Sequence, residues 1–255
     1  ISTQVVTHPF IWVPNSNEGT VSKVNTYTGR EVARYRTAPP TVTSQPSRTT
    51  IDQYGNCYVG NRQCATVVKI GLLEAGEYVD RNGNGIPDTS LDANNDGDIT
   101  GAEMLAWGAD ECVLYEVVVI PGKEGVFVPG TYAGGYANDY WNPGPRSICV
   151  DYSGNVWAGC WGTMKFYYLN GLTGAILKTN DVSSVGHHPY GAVIDSHGIV
   201  WSASYHENAS LANCLRLDPV SGSFSNIISG RRVYGLAIDN QDHVFVTSLD
   251  AHLLT

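Results

Sequence analysis

Residues Gly191 to Trp201, Gly-Ala-Val-Ile-Asp-Ser-His-Gly-Ile-Val-Trp, decide the fold of this chain of 255 residues. An apolar segment leads into a turn that opens with Asp195, and a second apolar segment ends on an aromatic residue. The Asp side chain can accept hydrogen bonds from the turn backbone, and Gly198 tolerates a positive φ. The pattern therefore predicts two antiparallel β-strands joined by a tight turn.

The same pattern recurs along the chain. Ser147–Trp157 and Gly235–Phe245 are close copies, and Thr49–Tyr58 is a fourth. The turn aspartates of the last three copies, at positions 151, 195 and 239, follow one another at an even spacing of 44 residues. A period of about 40–50 residues with several short strands is typical of β-propeller blades.

A second repeated pattern supplies the other two strands of each unit. Gly19–Val32, Met164–Leu177 and Cys214–Phe224 each carry a Thr-Gly or Ser-Gly turn between two apolar segments. Residues 1–255 are thus predicted to be all-β, a propeller of four-stranded blades with about five blades visible. The N-terminal part matches strands two to four of a blade, and the C-terminal part matches strands one and two. Either the ring closes in an unusual way, or the natural chain continues beyond Thr255.

One interval between copies is too long. The turn aspartates at positions 52 and 151 are 99 residues apart, and the strand that ends at Ile70 does not run into a Thr-Gly turn. A strand pattern returns only at Cys112–Val119. We therefore expect residues 71–111 to form an insertion within the second blade. Pro121–Pro145, rich in Gly, Tyr and Pro, is predicted to be a long ordered loop.

Residues 92–103 of the insertion, Asp-Ala-Asn-Asn-Asp-Gly-Asp-Ile-Thr-Gly-Ala-Glu, match the twelve-residue calcium loop position by position. Oxygen donors stand at alternate positions, a glycine takes the sharp turn, and a glutamate ends the loop. The predicted ligands are Asp92, Asn94, Asp96, Asp98 (through its backbone carbonyl), Thr100 and Glu103. Ca²⁺ takes six to eight oxygen ligands, which this spacing brings around one point. The alternative is an acidic, solvated loop without a metal.

A second loop precedes the first by twelve residues, so that the two stand in tandem. Its predicted ligands are Asp80, Asn82, Asn84, Ile86 (through its backbone carbonyl) and Asp88. Its twelfth position is Leu91 and not an acid, which makes this second Ca²⁺ site the weaker match. Without metal the carboxylates of both loops repel one another, so we expect calcium to order a segment that has few apolar residues.

The repeats resemble the NHL and streptogramin B lyase-like β-propellers. The resemblance rests on the pattern Pro-x-Gly-x-x-x-Asp-x-x-Gly-x-x-Trp, present as Pro189–Trp201, and covers most of the chain outside the insertion. The tandem loops resemble those of thrombospondin type 3 repeats and dockerins. They lack the duplicated loop–helix unit of dockerins, so no cohesin partner is implied. Together with Trp107–Cys112, these features are similar to secreted bacterial propellers, and they indicate a fold more than an activity.

Composition and charge limit the partners and the compartment. The net charge is −9, and the densest basic spot is Arg231-Arg232, which argues against a nucleic-acid partner. The longest apolar run, Cys112–Ile120, is too short to span a membrane. Six cysteines without a C-x-x-C pair, beside a calcium motif, predict disulfides and a secreted, extracellular or cell-surface protein, with buried free thiols as the alternative. A start at Ile1 predicts a processed chain or a fragment.

In a propeller, the loops between strands two and three and the loops between blades share one face around the central channel. In this chain those loops hold Asn15–Glu18, Arg62, Tyr140-Trp141, Trp161, His187-His188, His206-Glu207 and Arg231-Arg232. As in lyases of this fold, His187, His206 and Glu207 are candidates for acid–base chemistry, and Arg231 is a candidate for polarising an oxyanion. Ordinary polar exposed loops would show the same residues.

Three functions remain open on this sequence. The first is a calcium-stabilised extracellular propeller for binding, adhesion or assembly, with a glycan or cell-surface partner. Unpaired strand edges of open blades would also allow self-assembly. The second is a lyase or hydrolase of the streptogramin B lyase type. The third is a carbohydrate-binding propeller in which Tyr140, Trp141 and Trp161 stack on sugar rings, although these aromatics would equally serve in the core.

Overall fold

The computed structural model describes residues 8–141, 143–206, 208, 212–229 and 232–249. These residues form five antiparallel sheets in chain order, which confirms the prediction of an all-β propeller with about five blades. The first blade holds β1 (Phe10–Asn15), β2 (Thr20–Asn25) and β3 (Glu31–Arg36). The second holds β4 (Pro46–Ile51), β5 (Cys57–Asn61), β6 (Thr66–Ile70), β7 (Val113–Val118) and β8 (Gly125–Phe127).

The next three sheets complete the strand list. The third blade holds β9 (Pro145–Val150), β10 (Val156–Cys160), β11 (Lys165–Leu169) and β12 (Ile176–Asp181), and the fourth holds β13 (Pro189–Ile194), β14 (Val200–Ser204), β15 (Asn213–Leu217) and β16 (Phe224–Ser229). The fifth holds β17 (Val233–Ile238) and β18 (Val244–Ser248). Short 3₁₀ helices cover Leu73–Ala75, Gly101–Glu103 and Ser183–Val185.

The first strands of successive blades, β4, β9, β13 and β17, contact one another in turn and therefore form the inner wall of the propeller. Each of them runs through an aspartate turn into the second strand of its blade. In the fourth blade, the backbone N–H of Asp195 donates to Ile199 O at 3.1 Å, and Gly198 N donates to Asp195 O at 2.9 Å. Gly198 has φ 80°, as its place in the turn requires.

Apolar side chains fill the spaces between neighbouring sheets. One cluster joins the second and third blades around Tyr58, Val117 and Tyr167, and another joins the third and fourth around Trp157 and Leu215. Alternation along each strand places these side chains on the buried faces of the sheets. No helix among the described residues is long and apolar enough to cross a bilayer.

Residues 71–112 connect β6 to β7, and these two strands pair directly, with Thr66 opposite Val118. The long loop expected over residues 121–145 contains one more strand, because β8 adds to the free edge of β7, with Phe127 opposite Glu116. An exposed strand edge carries unpaired N–H and C=O groups, and the loop supplies their partners.

The prediction of disulfides is wrong. All six cysteines, at positions 57, 64, 112, 149, 160 and 214, are buried free thiols. Cys64 lies in the turn between β5 and β6 and Cys112 directly before β7, while the other four lie on different strands. Burial raises the pKa of Cys64 to about 12 and that of Cys214 to about 11. Protonated thiols of this kind behave as small apolar side chains. Cysteine usage therefore gives no argument for an oxidising compartment.

Candidate functional site

Aromatic side chains gather where the inner strands begin and the second strands end. We call this group the aromatic mouth; it comprises Tyr140, Trp141, Trp161, His188, Tyr190, Tyr205, His206 and Tyr234. Its rings form two groups, and in the group around Trp161 the ring centroid of Trp141 lies 5.5 Å and that of His188 4.6 Å from Trp161. The other group consists of three tyrosines. Tyr190 lies 5.3 Å from Tyr205 and 5.2 Å from Tyr234.

Trp161 stands at the centre of the mouth, in the turn that follows β10. Its indole Nε1 donates to Tyr205 O at 2.7 Å, and its own carbonyl lies 3.0 Å from His188 Nδ1. The backbone N–H of His188 donates to Ser204 Oγ at 3.0 Å. These bonds tie the loops of the third and fourth blades together, so that the indole is held in one orientation.

A pocket of about 240 Å³ opens beside Trp161, lined by Trp141, Trp161, Tyr205 and His206. The imidazole of His206 lies nearly parallel to the Trp161 indole, at 11° and 6.0 Å between centroids. Trp141 leaves 46% of its surface exposed although its neighbours are aromatic. The pocket thus offers flat apolar faces with ring nitrogens at one side.

The structure corrects the choice of histidine. His187 is fully buried, with Nδ1 2.5 Å from Asn213 Oδ1 and Nε2 2.9 Å from Ser202 Oγ, and burial lowers its pKa to about 3. It supports the core of the fourth blade and does not reach the mouth. Its neighbour His188 does, because adjacent residues of an extended segment point to opposite sides.

Of the residues predicted for this face, the structure gathers five in the aromatic mouth, namely Tyr140, Trp141, Trp161, His188 and His206. His206 lies in the pocket, with its ring 5.0 Å from that of His188, whose pKa is lowered mainly by burial. Burial thus favours the uncharged form of the His188 imidazole. Glu207 and Arg231 lie outside the described residues.

Three arginines surround the tyrosines of the mouth. Arg146, only 3% exposed, stacks on Tyr140 and Trp141 with its guanidinium 4.9 Å from each ring centroid, and its Nη2 donates to Tyr140 O at 2.6 Å. Arg62 covers the Tyr140 ring at 4.5 Å. Arg48 lies 5.1 Å from the Tyr190 centroid.

The sequence patterns did not indicate that Arg48, Arg146 and Tyr190 belong to the mouth. A signal was available, since Arg146 and Tyr190 each follow the proline that begins an inner strand, Pro145 or Pro189. In both strands the pairing register shifts at this point, so that the residue after the proline is left out of the ladder. Such bulges redirect side chains, here into the mouth.

The second calcium-type loop, which begins at Asp80, is closed by its own side chains. Asp80 Oδ1 accepts from Gly83 N at 2.7 Å, and its Oδ2 accepts from Gly85 N at 2.9 Å. Asn82 Nδ2 donates to Asp88 Oδ2 at 2.6 Å. The loop is exposed, and these hydrogen bonds hold the side chains of Asp80, Asn82 and Asp88 towards its inside.

The loop of residues 92–103 fits a cation more closely. Gly97 N donates to Asp92 Oδ2 at 3.1 Å, and Glu103 Oε1 accepts from Asn94 N at 3.1 Å, so that the first and twelfth positions close on one another. The Asp92 side chain is 8% exposed, and its Oδ1 is buried without a hydrogen-bond partner. A buried carboxylate oxygen without a donor is costly, and a bound cation would remove the cost.

The other predicted ligands of this loop, Asn94, Asp96, Asp98 and Thr100, lie on its exposed side. Ile99, the apolar eighth position, is fully buried. Among the described residues, no three His, Cys, Asp or Glu side chains gather as a metal site. Calcium loops also draw ligands from Asn and from backbone carbonyls, which are not part of such a group. Calcium at either loop stays a prediction.

Two buried acids hold the insertion against the second blade. Asp110 accepts from Ser90 N and Thr89 Oγ1, both at 2.9 Å. Glu111 accepts from Arg81 N at 2.7 Å and from Asp88 N at 3.0 Å. These residues belong to the segment Trp107–Cys112, whose structural role the sequence did not reveal.

Comparisons with known proteins show the fold alone. No family model matches the chain, and no curated protein matches it. A streptogramin B lyase structure superposes with TM-score 0.60 at 12% identity, covering 96% of this chain and 64% of that one. Virginiamycin B lyase from Staphylococcus aureus gives TM-score 0.60 at 13% identity, over 96% and 65%. Hydrazine synthase from Kuenenia stuttgartiensis gives 0.59 at 12%, over 96% and 54%. The chain thus spans less than two thirds of these proteins.

Proposed function

We propose that this protein is an extracellular binding module, a β-propeller that takes a glycan at the aromatic mouth while calcium orders the insertion. The observation that carries the proposal is the pocket of about 240 Å³ beside Trp161, whose indole is fixed by its hydrogen bond to Tyr205 O and whose backbone carbonyl contacts His188 Nδ1. Binding sites are concave, largely apolar and pre-formed, and this pocket has those properties.

The exposed aromatic faces favour a saccharide over an unspecific apolar partner. A sugar ring has apolar C–H faces and polar edges, so that it can pack on indole and phenol rings while its hydroxyl groups bond to groups at the rim. Trp141 presents such a face, at 46% exposure. Tyrosine and tryptophan are suited to surfaces that are apolar on one side and wet on the other.

A lyase or hydrolase is the second candidate, and the pair of His188 and His206 is the observation that favours it. Two imidazoles 5.0 Å apart in an open pocket could move a proton. The similarity to streptogramin B lyase, at 12% identity, supports only the fold and does not raise this candidate above binding.

Calcium is proposed for the loop of residues 92–103, on the support of the unpartnered Asp92 Oδ1. Asp92, Asn94, Asp96 and Glu103 would hold it with their side chains, and the ion would neutralise their charge. Loops of this type bind calcium at cytosolic as well as at extracellular concentrations, so the extracellular location is proposed only on the resemblance of the repeats and tandem loops to secreted propellers. The second loop, from Asp80 to Asp88, is proposed as a weaker site on spacing alone.

Titration calorimetry with a panel of soluble oligosaccharides, neutral and acidic, tests the binding proposal. We expect Trp161→Ala to weaken binding about tenfold or more, because the stacking face is lost. Tyr27→Ala is the matched control, since Tyr27 is 80% exposed in the turn after β2, at the far end of the blade. No binding by any saccharide of the panel would overturn the proposal.

The same panel separates binding from catalysis. A binding module returns every saccharide unchanged after long incubation, and His206→Ala then alters affinity only. Appearance of unsaturated or hydrolysed products that His206→Ala abolishes would make the protein an enzyme.

Calcium binding is tested by thermal unfolding in calcium and in chelator. Asp92→Asn should remove most of the calcium-dependent rise in Tm, because the first ligand loses its charge. Asp98→Asn is the matched control, since it removes the same charge from the same loop at a position that ligates through its backbone. Equal losses in both variants, or no calcium effect on the unaltered protein, would contradict the proposal.

A further inference from the structure

The geometry of the mouth points to an acidic ligand: we infer that the glycan carries carboxylate groups, as an oligouronide does, and that Arg146 and Arg62 bind them. This inference rests on the proposed function, because it names the class of saccharide that the same mouth would take.

Arg146 is buried without a counter-ion among the described residues. Its side chain is 3% exposed, yet no described carboxylate forms a salt bridge with it. Burying a charge is costly unless it is paired, and here burial lowers the pKa of the guanidinium. A ligand anion would supply the missing partner.

A second positive charge, that of Arg62, lies beside Arg146. Arg62 and Arg146 stack on the same Tyr140 ring, at 4.5 Å and 4.9 Å from its centroid, and the charge of Arg62 also lowers the pKa of Arg146. Like charges so placed repel each other in the free protein. An anion bound between the two guanidinium groups would attract both and so offset their mutual repulsion.

Within the described part of the chain, no nearby carboxylate forms a salt bridge with Arg62 or Arg146. Asp139 is the closest carboxylate in sequence to the stacked rings, and its Oδ1 accepts from Trp141 N at 2.9 Å. It forms no salt bridge with either guanidinium. The positive mouth stands out in a protein of net charge −9.

Donors also remain for a ligand. A guanidinium has five N–H donors in a fork that matches a carboxylate. Hydrogen bonds within the described residues use one donor of Arg146, to Tyr140 O, and one of Arg62, to Gln45 Oε1 at 3.0 Å. The aromatic rings beneath hold the planes of both groups and leave the edges for bidentate bonds.

The arrangement favours a short acidic saccharide over a nucleic acid. A nucleic acid has a phosphate on every nucleotide and needs an extended basic track. Here the guanidinium groups of Arg48, Arg62 and Arg146 lie on Tyr140 and Tyr190, and Arg146 also contacts Trp141, which lines the pocket beside Trp161. One sugar ring on the indoles and its carboxylate at the arginines satisfy both features.

Calorimetric titration with trigalacturonate and with its full methyl ester tests this inference, at constant calcium. We expect the acid to bind about tenfold more tightly than the ester at about 50 mM NaCl, and the preference to shrink at about 300 mM. Arg62→Gln and Arg146→Gln should each reduce the ratio of acid affinity to ester affinity. Arg216→Gln is the matched control, because Arg216 lies opposite Trp201 towards the other end of the fourth blade.

Circular dichroism shows whether the Arg146→Gln variant folds. If it does not, the Arg62→Gln variant still tests the inference, because Arg62 is only half-buried. Equal binding of acid and ester, or binding of neutral saccharides alone, would overturn the inference and leave the proposed function standing. Failure of every saccharide would overturn both. Binding of an oligothymidylate in place of trigalacturonate would show a nucleic-acid site and would also overturn both.

Discussion

At the scale of single residues, one aspartate in each of the second to fifth blades organises the turn that the repeat is built on. Asp195 Oδ1 accepts from His197 N at 3.0 Å and from Ile199 N at 2.9 Å, and Oδ2 accepts from Trp201 Nε1 at 2.9 Å. The aspartates at positions 52, 151 and 239 accept from the corresponding two backbone groups. The hydrogen-bonding role that the sequence predicted for this residue is confirmed.

Replacing Asp195 tests how much this turn contributes. Asp195→Ala removes the acceptor of three hydrogen bonds at a buried position and should lower the free energy of unfolding by about 2–3 kcal/mol. Asp195→Asn keeps an oxygen for the two backbone donors and should cost about 1 kcal/mol, through loss of the Trp201 bond. Urea unfolding of both variants checks the order. Equal losses would mean that the turn bonds contribute nothing.

A buried acid makes stability depend on pH. Glu116 is fully buried on β7; its Oε2 accepts from Tyr136 OH at 3.1 Å, and its Oε1 has no partner. Burial raises its pKa from 4.5 to about 7, against the opposing effect of the Tyr136 bond. The folded protein therefore holds this proton more tightly than the unfolded chain does. Stability from this group is present below about pH 4.5 and is lost as the pH rises through about 7.

Glu116→Gln should flatten this dependence. At pH 8 the variant should be more stable than the unaltered protein, by a difference on the order of 2–3 kcal/mol that is absent at pH 4. Urea unfolding at both pH values measures the difference. A difference that does not change with pH would show that Glu116 titrates normally.

At the scale of elements, the insertion between β6 and β7 is joined to the blades both by side-chain acceptors and by apolar packing, since Leu72 and Trp107 pack in the cluster around Tyr35. The Asp110 carboxylate, 3% exposed, accepts hydrogen bonds from Ser90 Oγ at 2.6 Å and from Cys112 N at 3.0 Å, in addition to those from Ser90 N and Thr89. Arg30 of the neighbouring blade reaches Asp92 Oδ2 at 3.4 Å. The segment is thus tied to two blades at its ends and middle.

Asp110→Ala should free the insertion while the propeller stays folded. We expect protease cleavage between residues 80 and 103 to become about tenfold faster or more, because local opening no longer breaks these bonds. Thr89→Val removes a single donor to the same carboxylate and should change the rate less. Mass spectrometry of the fragments locates the cuts. Unchanged cleavage in Asp110→Ala would show that the acid does not anchor the segment.

At the scale of the whole molecule, polar contacts supplement the apolar packing between blades. The carbonyl of Gly171 in the third blade accepts from three groups of the second, Lys69 Nζ at 2.8 Å, Tyr58 OH at 3.0 Å and Tyr115 OH at 3.1 Å. Lys69 is 4% exposed and lies 3.9 Å from Asp52 Oδ2. A charged donor at this position joins two blades through one acceptor.

Substitutions at this junction should differ in cost. Lys69→Met removes the charged donor and its attraction to Asp52, and should lower the free energy of unfolding by about 2 kcal/mol. Tyr115→Phe leaves two donors on the same carbonyl and should cost less than about 1 kcal/mol. Denaturant unfolding compares them. A larger loss in Tyr115→Phe would show that the junction is held by that phenol and not by the lysine.

The sequence by itself determined the repeat and the aspartate turns, because these depend on contacts among residues close together in the chain. It also determined the glycine turns of the calcium-type loop, where Asn95 and Gly97 both take positive φ.

Only the tertiary structure decided which side chains meet. It put His188 and not His187 in the mouth, kept six cysteines apart, and stacked Arg62 and Arg146 on one tyrosine. These residues come from different blades and loops, and their separations depend on how the sheets pack. A periodic pattern repeats the local turn in every blade, but it carries no information about the distance between one loop and the next.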